Sequence, residues 1–94
     1  MSSAITLESG FVIPVQVMSR LVGDETVLMD LSTGIYFGLD GVGKRIWETI
    51  AEGQNLAAVA AVIAAEYEVD EARAQADVIE FVSDLVERSL LKTN

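Results

Sequence analysis

Gly38-Leu39-Asp40-Gly41-Val42-Gly43-Lys44 has the G-x-x-x-x-G-K spacing of a loop that cradles phosphate between backbone N–H groups and a lysine. The next residue is Arg45, where coordination of Mg²⁺ requires Ser or Thr. Two short extended segments in hairpin order lead into the loop, rather than a parallel strand–helix–strand unit. Glycines that ease a strand-to-helix turn therefore account for the spacing. A second candidate is the row Asp77, Glu80, Asp84 and Glu87, which shares one helical face and has the residue type for acid–base or metal chemistry. The 94 residues contain no His and no Cys, which excludes histidine-based triads, thiolate chemistry, disulfides and the usual zinc ligands together. No nucleophile remains to organise an active site. The row reads as a solvated face, and the chain as a non-enzyme without metal or cofactor.

The length suits one small domain with one core. A hydrophobic content of 51% and a single Pro are those of a folding chain, not a disordered one. Fifteen acidic against 6 basic residues give a formal net charge of −9, which disfavours phosphate backbones and anionic lipid and leaves a peptide or a basic protein surface as the easier partner. No apolar run reaches the ~18 residues of a membrane span, and no basic segment precedes an apolar one in the manner of a signal peptide. The expectation is a soluble, unexported, cytoplasmic protein.

The elements around these residues follow from hydrophobic period. Val27, Met29 and Leu31 alternate with Leu28 and Asp30, and Ile35, Phe37 and Leu39 with Tyr36 and Gly38, so two paired strands flank a Ser32-Thr33-Gly34 turn. Ahead of them, Val15, Val17 and Leu21 face one way and Met18 and Val22 the other, with Gly23-Asp24 as a hairpin turn. Three strands in succession predict an antiparallel meander. Asp40 sits at a helix N-cap, followed by Val42, Ile46, Trp47 and Ile50 at helical spacing, with Trp47 expected in the core, until Gly53. Asn55 caps a second helix carrying Leu56, Val59, Ala60, Ile63, Ala64 and Tyr67 on one face. Asp70 begins a third, expected to run to about Leu90 with an Asp84–Arg88 pair. Residues 1–10 are expected to be a flexible arm and 11–94 the folded domain.

Two surfaces stand out. The apolar positions of the third helix fill about half its circumference, more than docking on one body requires, so part of that arc is left over. A sheet ordered as the sequence leaves Gly34 to Asp40 as an edge with unpaired backbone groups, open to an added strand unless a helix covers it.

The residues LMDLSTGIYFGLDGVGKRIWETIAEG and DVIEFVSDLVERSLL resemble the family of pyrroloquinoline quinone biosynthesis protein D, and in particular its stand-alone relatives in lasso-peptide clusters, the recognition elements of ribosomally made, modified peptides. The similarity runs from about Val15 to Leu91. It rests on a hairpin ending in Tyr36-Phe37-x-Leu39, a Gly43-x-x-x-Trp47 helix, and a final helix with Asp77-Val78-x-x-Phe81 and Leu85. The resemblance implies an α+β, winged-helix-like domain, three antiparallel strands followed by three helices, that does no chemistry. It implies that the leader segment of a precursor peptide adds as a strand along Ile35, Tyr36, Phe37, Gly38 and Leu39, against a wall of Ala74, Asp77, Val78, Phe81 and Leu85, and is presented to a leader peptidase or other modifying enzyme. Three alternatives stay open. One is a chaperone for a radical SAM enzyme in quinone assembly. Another is a winged-helix DNA-binding module, which the acidic final helix opposes. The third is a dimerisation domain using the same edge.

Overall fold

The computed structural model describes residues 5–93; residues 1–4 of the expected arm, and residue 94, lie outside them. In chain order the elements are β1 (Phe11–Val12), β2 (Val17–Val22), β3 (Glu25–Asp30), β4 (Ile35–Leu39), α1 (Gly41–Ala51), α2 (Leu56–Tyr67), α3 (Glu71–Glu87) and β5 (Lys92–Thr93). β2, β3 and β4 form an antiparallel sheet in sequence order, followed by the three helices, while β1 and β5 pair separately. The α+β class implied by the family resemblance and the meander expected from the residue pattern are both present.

Register explains which side chains are inside. Leu28 lies between Ser19 and Phe37, and Thr26 between Leu21 and Leu39. The row Thr26, Leu28 and Asp30 is buried together with Val17 and Leu39, whereas Met18, Met29 and Tyr36, in register across the opposite face, are exposed. All three helices therefore cover one face, and the molecule is a slab of 37 × 37 × 18 Å, one sheet deep and one helix layer deep. Ile46, Trp47 and Ile50 from α1, Leu56, Val59, Ala60 and Ile63 from α2, and Ala74, Val78, Val82 and Leu85 from α3 meet in the core.

Two local devices fix β4. The Asp30 carboxylate accepts from the Ser32 N–H at 2.9 Å and from the Ser32 hydroxyl at 2.7 Å, and the Asp30 carbonyl accepts from Gly34 N–H at 2.8 Å. Gly34 takes φ +76°, which closes the turn and sets the β3–β4 register. At the other end, Asp40 occupies the N-cap of α1 but makes no side-chain capping bond. Asn55, by contrast, caps α2 by accepting from Ala58 N–H at 2.9 Å.

Several expectations shift. α3 stops at Glu87 instead of about Leu90, because Ser89 takes φ 62° and turns the chain so that Leu90 and Leu91 enter the core and Lys92–Thr93 reach β1. Val15 precedes β2 and is exposed, since Val17 N–H turns back to the Pro14 carbonyl at 2.9 Å. Tyr67 ends up exposed at the end of α2, where Glu68 takes φ 54°. Within the segment expected to be a loose arm, Ile5 and Leu7 pack against the core, and the Leu7 carbonyl accepts from Ala57 N–H at 2.8 Å.

Candidate functional site

Among the described residues β4 pairs with β3 alone, so its other side is an open edge. Which groups that edge offers follows from the ladder. Leu31 N–H donates to the Gln16 carbonyl at 2.8 Å, so Leu31, Met29 and Val27 turn their backbone groups toward β2. Alternation along an antiparallel strand then turns Thr26, Leu28 and Asp30 toward β4, where their partners Leu39, Phe37 and Ile35 answer them. Tyr36 and Gly38 are left with N–H and C=O groups directed away from the sheet.

A groove runs beside that edge, on the helix-covered face. Toward the α1 end it widens into a cavity of about 650 Å³ lined by Gly38, Leu39, Asp40, Val42, Gly43 and Ile46 on one side and Asp77, Glu80, Phe81 and Asp84 on the other. Phe81 is half-buried and packs against the core with the edge of its ring over Gly43. Toward the turn end lies a smaller cavity of about 280 Å³ lined by Asp30, Thr33, Ile35, Phe37, Arg88 and Leu90. The two differ in charge. Four carboxylates surround the first, whereas the Arg88 guanidinium stands 4.6 Å above the Phe37 ring at the second.

The ion pairs along α3 are exposed i,i+4 pairs, Arg73 Nε to Asp77 Oδ2 at 3.4 Å and Arg88 Nε to Asp84 Oδ2 at 3.0 Å. Such pairs order the rim and add little to stability. The Asp30 carboxyl is held below its ordinary pKa by the Ser32 hydroxyl, then by the Ser32 N–H.

Of the residues expected to form the site, Ile35, Tyr36 and Gly38 are exposed on the edge, Phe37 is half-buried and Leu39 buried. On α3, Asp77 and Phe81 line the groove, while Ala74, Val78 and Leu85 are buried in the core and support the wall from behind. Sequence periodicity could not separate Phe81 from Ala74, Val78 and Leu85, because all four share one apolar arc. The residues not anticipated are Asp40, Val42, Gly43 and Ile46, which come from the strand-to-helix turn, together with Glu80, Asp84 and Arg88. The phosphate-loop spacing had marked the same turn for another reason. Its lysine is directed elsewhere, Lys44 Nζ donating to the Asp24 carbonyl at 3.2 Å. Arg45 pairs with Glu66 of α2 through Nε at 3.0 Å and Nη2 at 2.9 Å, and the pairing lowers the Glu66 pKa. Nothing in this arrangement resembles a nucleophile and base in contact.

No helix among the described residues is long and apolar enough to cross a membrane. Among curated proteins no significant match is found. Two solved structures do match. "TbiB1 in Complex with the TbiA(beta) Leader Peptide" is 41% identical with a TM-score of 0.81, covering 85% of this chain and 93% of that one. "Lasso peptide synthetase B1 complexed with the leader peptide" is 26% identical with a TM-score of 0.83, covering 87% and 96%. The model of the family coenzyme PQQ synthesis protein D (PqqD) matches residues 25–91, well over half of the sequence, and the chain therefore belongs to the PqqD family.

Proposed function

We propose that this protein is a peptide recognition element: it binds the leader of a ribosomally synthesised precursor as an added strand on β4 and delivers it to a separate leader peptidase in lasso-peptide biosynthesis. The observation that carries this reading is the conjunction of the free Tyr36 and Gly38 backbone groups with the Phe81-lined groove beside them. The two solved relatives support it, each a complex with a leader peptide, and the one that is a lasso peptide synthetase favours the lasso pathway over quinone assembly. The chain carries out no bond-making itself. Ribosomal synthesis of the precursor puts the encounter in the cytoplasm.

The energetics give edge and groove separate tasks. Tyr36 and Gly38 offer two donors and two acceptors, together contributing about 2–6 kcal/mol net at 0.5–1.5 kcal/mol per bond. Ordering a flexible segment costs about 2–5 kcal/mol, so backbone pairing alone binds weakly and without regard to sequence. Side chains that enter the groove on alternate positions must supply affinity and discrimination.

The deciding experiment is titration of a labelled synthetic leader, taken from the precursor encoded beside this gene, followed by fluorescence anisotropy. Saturable binding that is lost when β4 is blocked is the expected result. No binding by a folded protein, or binding indifferent to β4, overturns the reading.

A further inference from the structure

The groove is not uniform along its length, and one side chain in it is only partly used. Arg88 spends a single donor, Nε, on Asp84 Oδ2 at 3.0 Å. Its guanidinium carbon rests 4.6 Å from the Phe37 centroid, and its two terminal nitrogens have no hydrogen-bond partner among the described residues. An arginine held at its Nε by a carboxylate and stacked on an aromatic ring has its fork aimed before any ligand arrives, so little side-chain freedom is lost on binding. The fork geometry matches a carboxylate with two parallel N–H···O bonds.

What surrounds Arg88 restricts the occupant. The cavity it overhangs is bounded by Ile35, Phe37 and Leu90, so it takes the aliphatic stem of a side chain and leaves the tip at the guanidinium. The other carboxylate there, Asp30, is turned onto the Ser32 N–H and hydroxyl. Toward the α1 end of the groove, Asp40, Asp77 and Glu80 repel an anion, while Asp84, which also lines that cavity, is the carboxylate paired with Arg88 Nε. A carboxylate on a bound strand therefore has one favourable place, and the whole-chain charge of −9 makes that place stand out.

Resting on the proposed leader-binding function, we infer that Arg88 is a specificity-determining residue that pairs with an Asp or Glu of the leader, at a position opposite Ile35 or Phe37. Residues opposite Ile35, Phe37 and Leu39 point toward the helices, while those opposite Tyr36 and Gly38 point to the other face of the sheet. The leader's acidic residue therefore lies two or four positions from the residue that fills the Phe81 cavity, an even separation. Carboxylates at one end of the groove and the Arg88 fork at the other fix the register in which the strand docks, which backbone pairing by itself leaves free to slip.

The test is a double-mutant cycle. The probes are the labelled synthetic leader of the adjacent precursor and a set in which each Asp or Glu in turn becomes Asn or Gln. They are titrated against the unaltered protein, Arg88→Gln and Arg88→Lys. One amide replacement should weaken binding to the unaltered protein by about tenfold, as expected for a charge-assisted hydrogen bond. Arg88→Gln should weaken the parent leader equally and show no further loss with that one peptide, and Arg88→Lys should restore part of the affinity. Losses that simply add, or a tight-binding leader that no amide replacement weakens, overturn the charge pairing and leave the leader-binding function standing. If Arg88→Gln misfolds, Arg88→Lys closes the cycle, its loss being confined to peptides that keep the paired carboxylate. If the unaltered protein does not bind the parent leader, function and inference fall together.

Discussion

A Cβ on Gly43 would stand 3.1 Å from both Cε1 and Cζ of Phe81, so the ring rests on bare α1 backbone, and that contact sets how far it projects into the groove. Gly43→Ala moves the ring by a few tenths of an ångström while contributing up to about 1 kcal/mol of helix propensity. The expected outcome is a melting temperature that does not fall and a leader affinity that does. Unchanged affinity by fluorescence anisotropy would show that the Phe81 position is immaterial to binding.

Proline distinguishes the two sides of β4. Gly38 directs its N–H outward and Phe37 directs its N–H at β3, so Gly38→Pro removes a donor that only an incoming strand needs, and Phe37→Pro breaks the sheet itself. The atom nearest a Cβ at Gly38 is Glu25 Oε1, the movable end of a long side chain. Gly38→Pro should keep the far-ultraviolet dichroism and lose leader binding; Phe37→Pro should lose both.

Rim and wall of the groove are separable in the same assay. Asp77 and Arg73 are exposed, so Asp77→Ala should change stability by no more than about 0.5 kcal/mol, whereas any loss of affinity reports contact with the leader. Phe81→Ala removes the largest apolar side chain of the cavity and should weaken binding by about tenfold or more. A folded double variant that binds like the parent would count heavily against the groove.

Ser89 holds the left-handed conformation that ends α3, φ 62°, and a non-glycine residue there costs about 1 kcal/mol or more. Ser89→Gly should raise the melting temperature by a few degrees without touching affinity. A fall on scanning calorimetry would assign the serine side chain a stabilising contact that outweighs the strain.

Acid stability should follow Asp30 and Glu66. Both carboxyls have folded-state pKa values below the ordinary ones, Asp30 through its Ser32 hydrogen bonds and Glu66 through Arg45. Their contribution is complete above the unfolded-state pKa and is lost as pH falls through the lower folded-state value. The melting temperature should be flat from neutral pH to about 5 and decline below about 4. Asp30→Asn should flatten part of that decline, and an equally steep decline in the variant would remove Asp30 from the account.

Much of this was legible in the residues. Period-2 alternation in β3 and β4 and the apolar stripes of the helices are local signals, and each element they mark is present. Asp40 was read as an N-cap, and it holds that position, yet its carboxylate makes no capping bond, because helix-start statistics report where a residue sits and not what its side chain faces. The short pairing of Phe11–Val12 with Lys92–Thr93 joins the two ends of the described chain and has no periodicity long enough to find. Arg88 was read as the partner of Asp84, and only the folded chain brings it over Phe37.

By itself the sequence determined the absence of His and Cys chemistry, the acidic surface and the strand–strand–strand–helix order, since all of these depend on residue identity and neighbours a few positions away. The tertiary structure decided that β4 keeps one side unpaired among the described residues, which half of the α3 arc is wall and which is core, that the strand-to-helix turn supplies the groove's far side, and that carboxylates crowd one end while Arg88 stands at the other. Those facts depend on the angle at which α3 crosses β4 and α1, which is set by packing among Ala74, Val78, Val82 and the residues they meet from other elements.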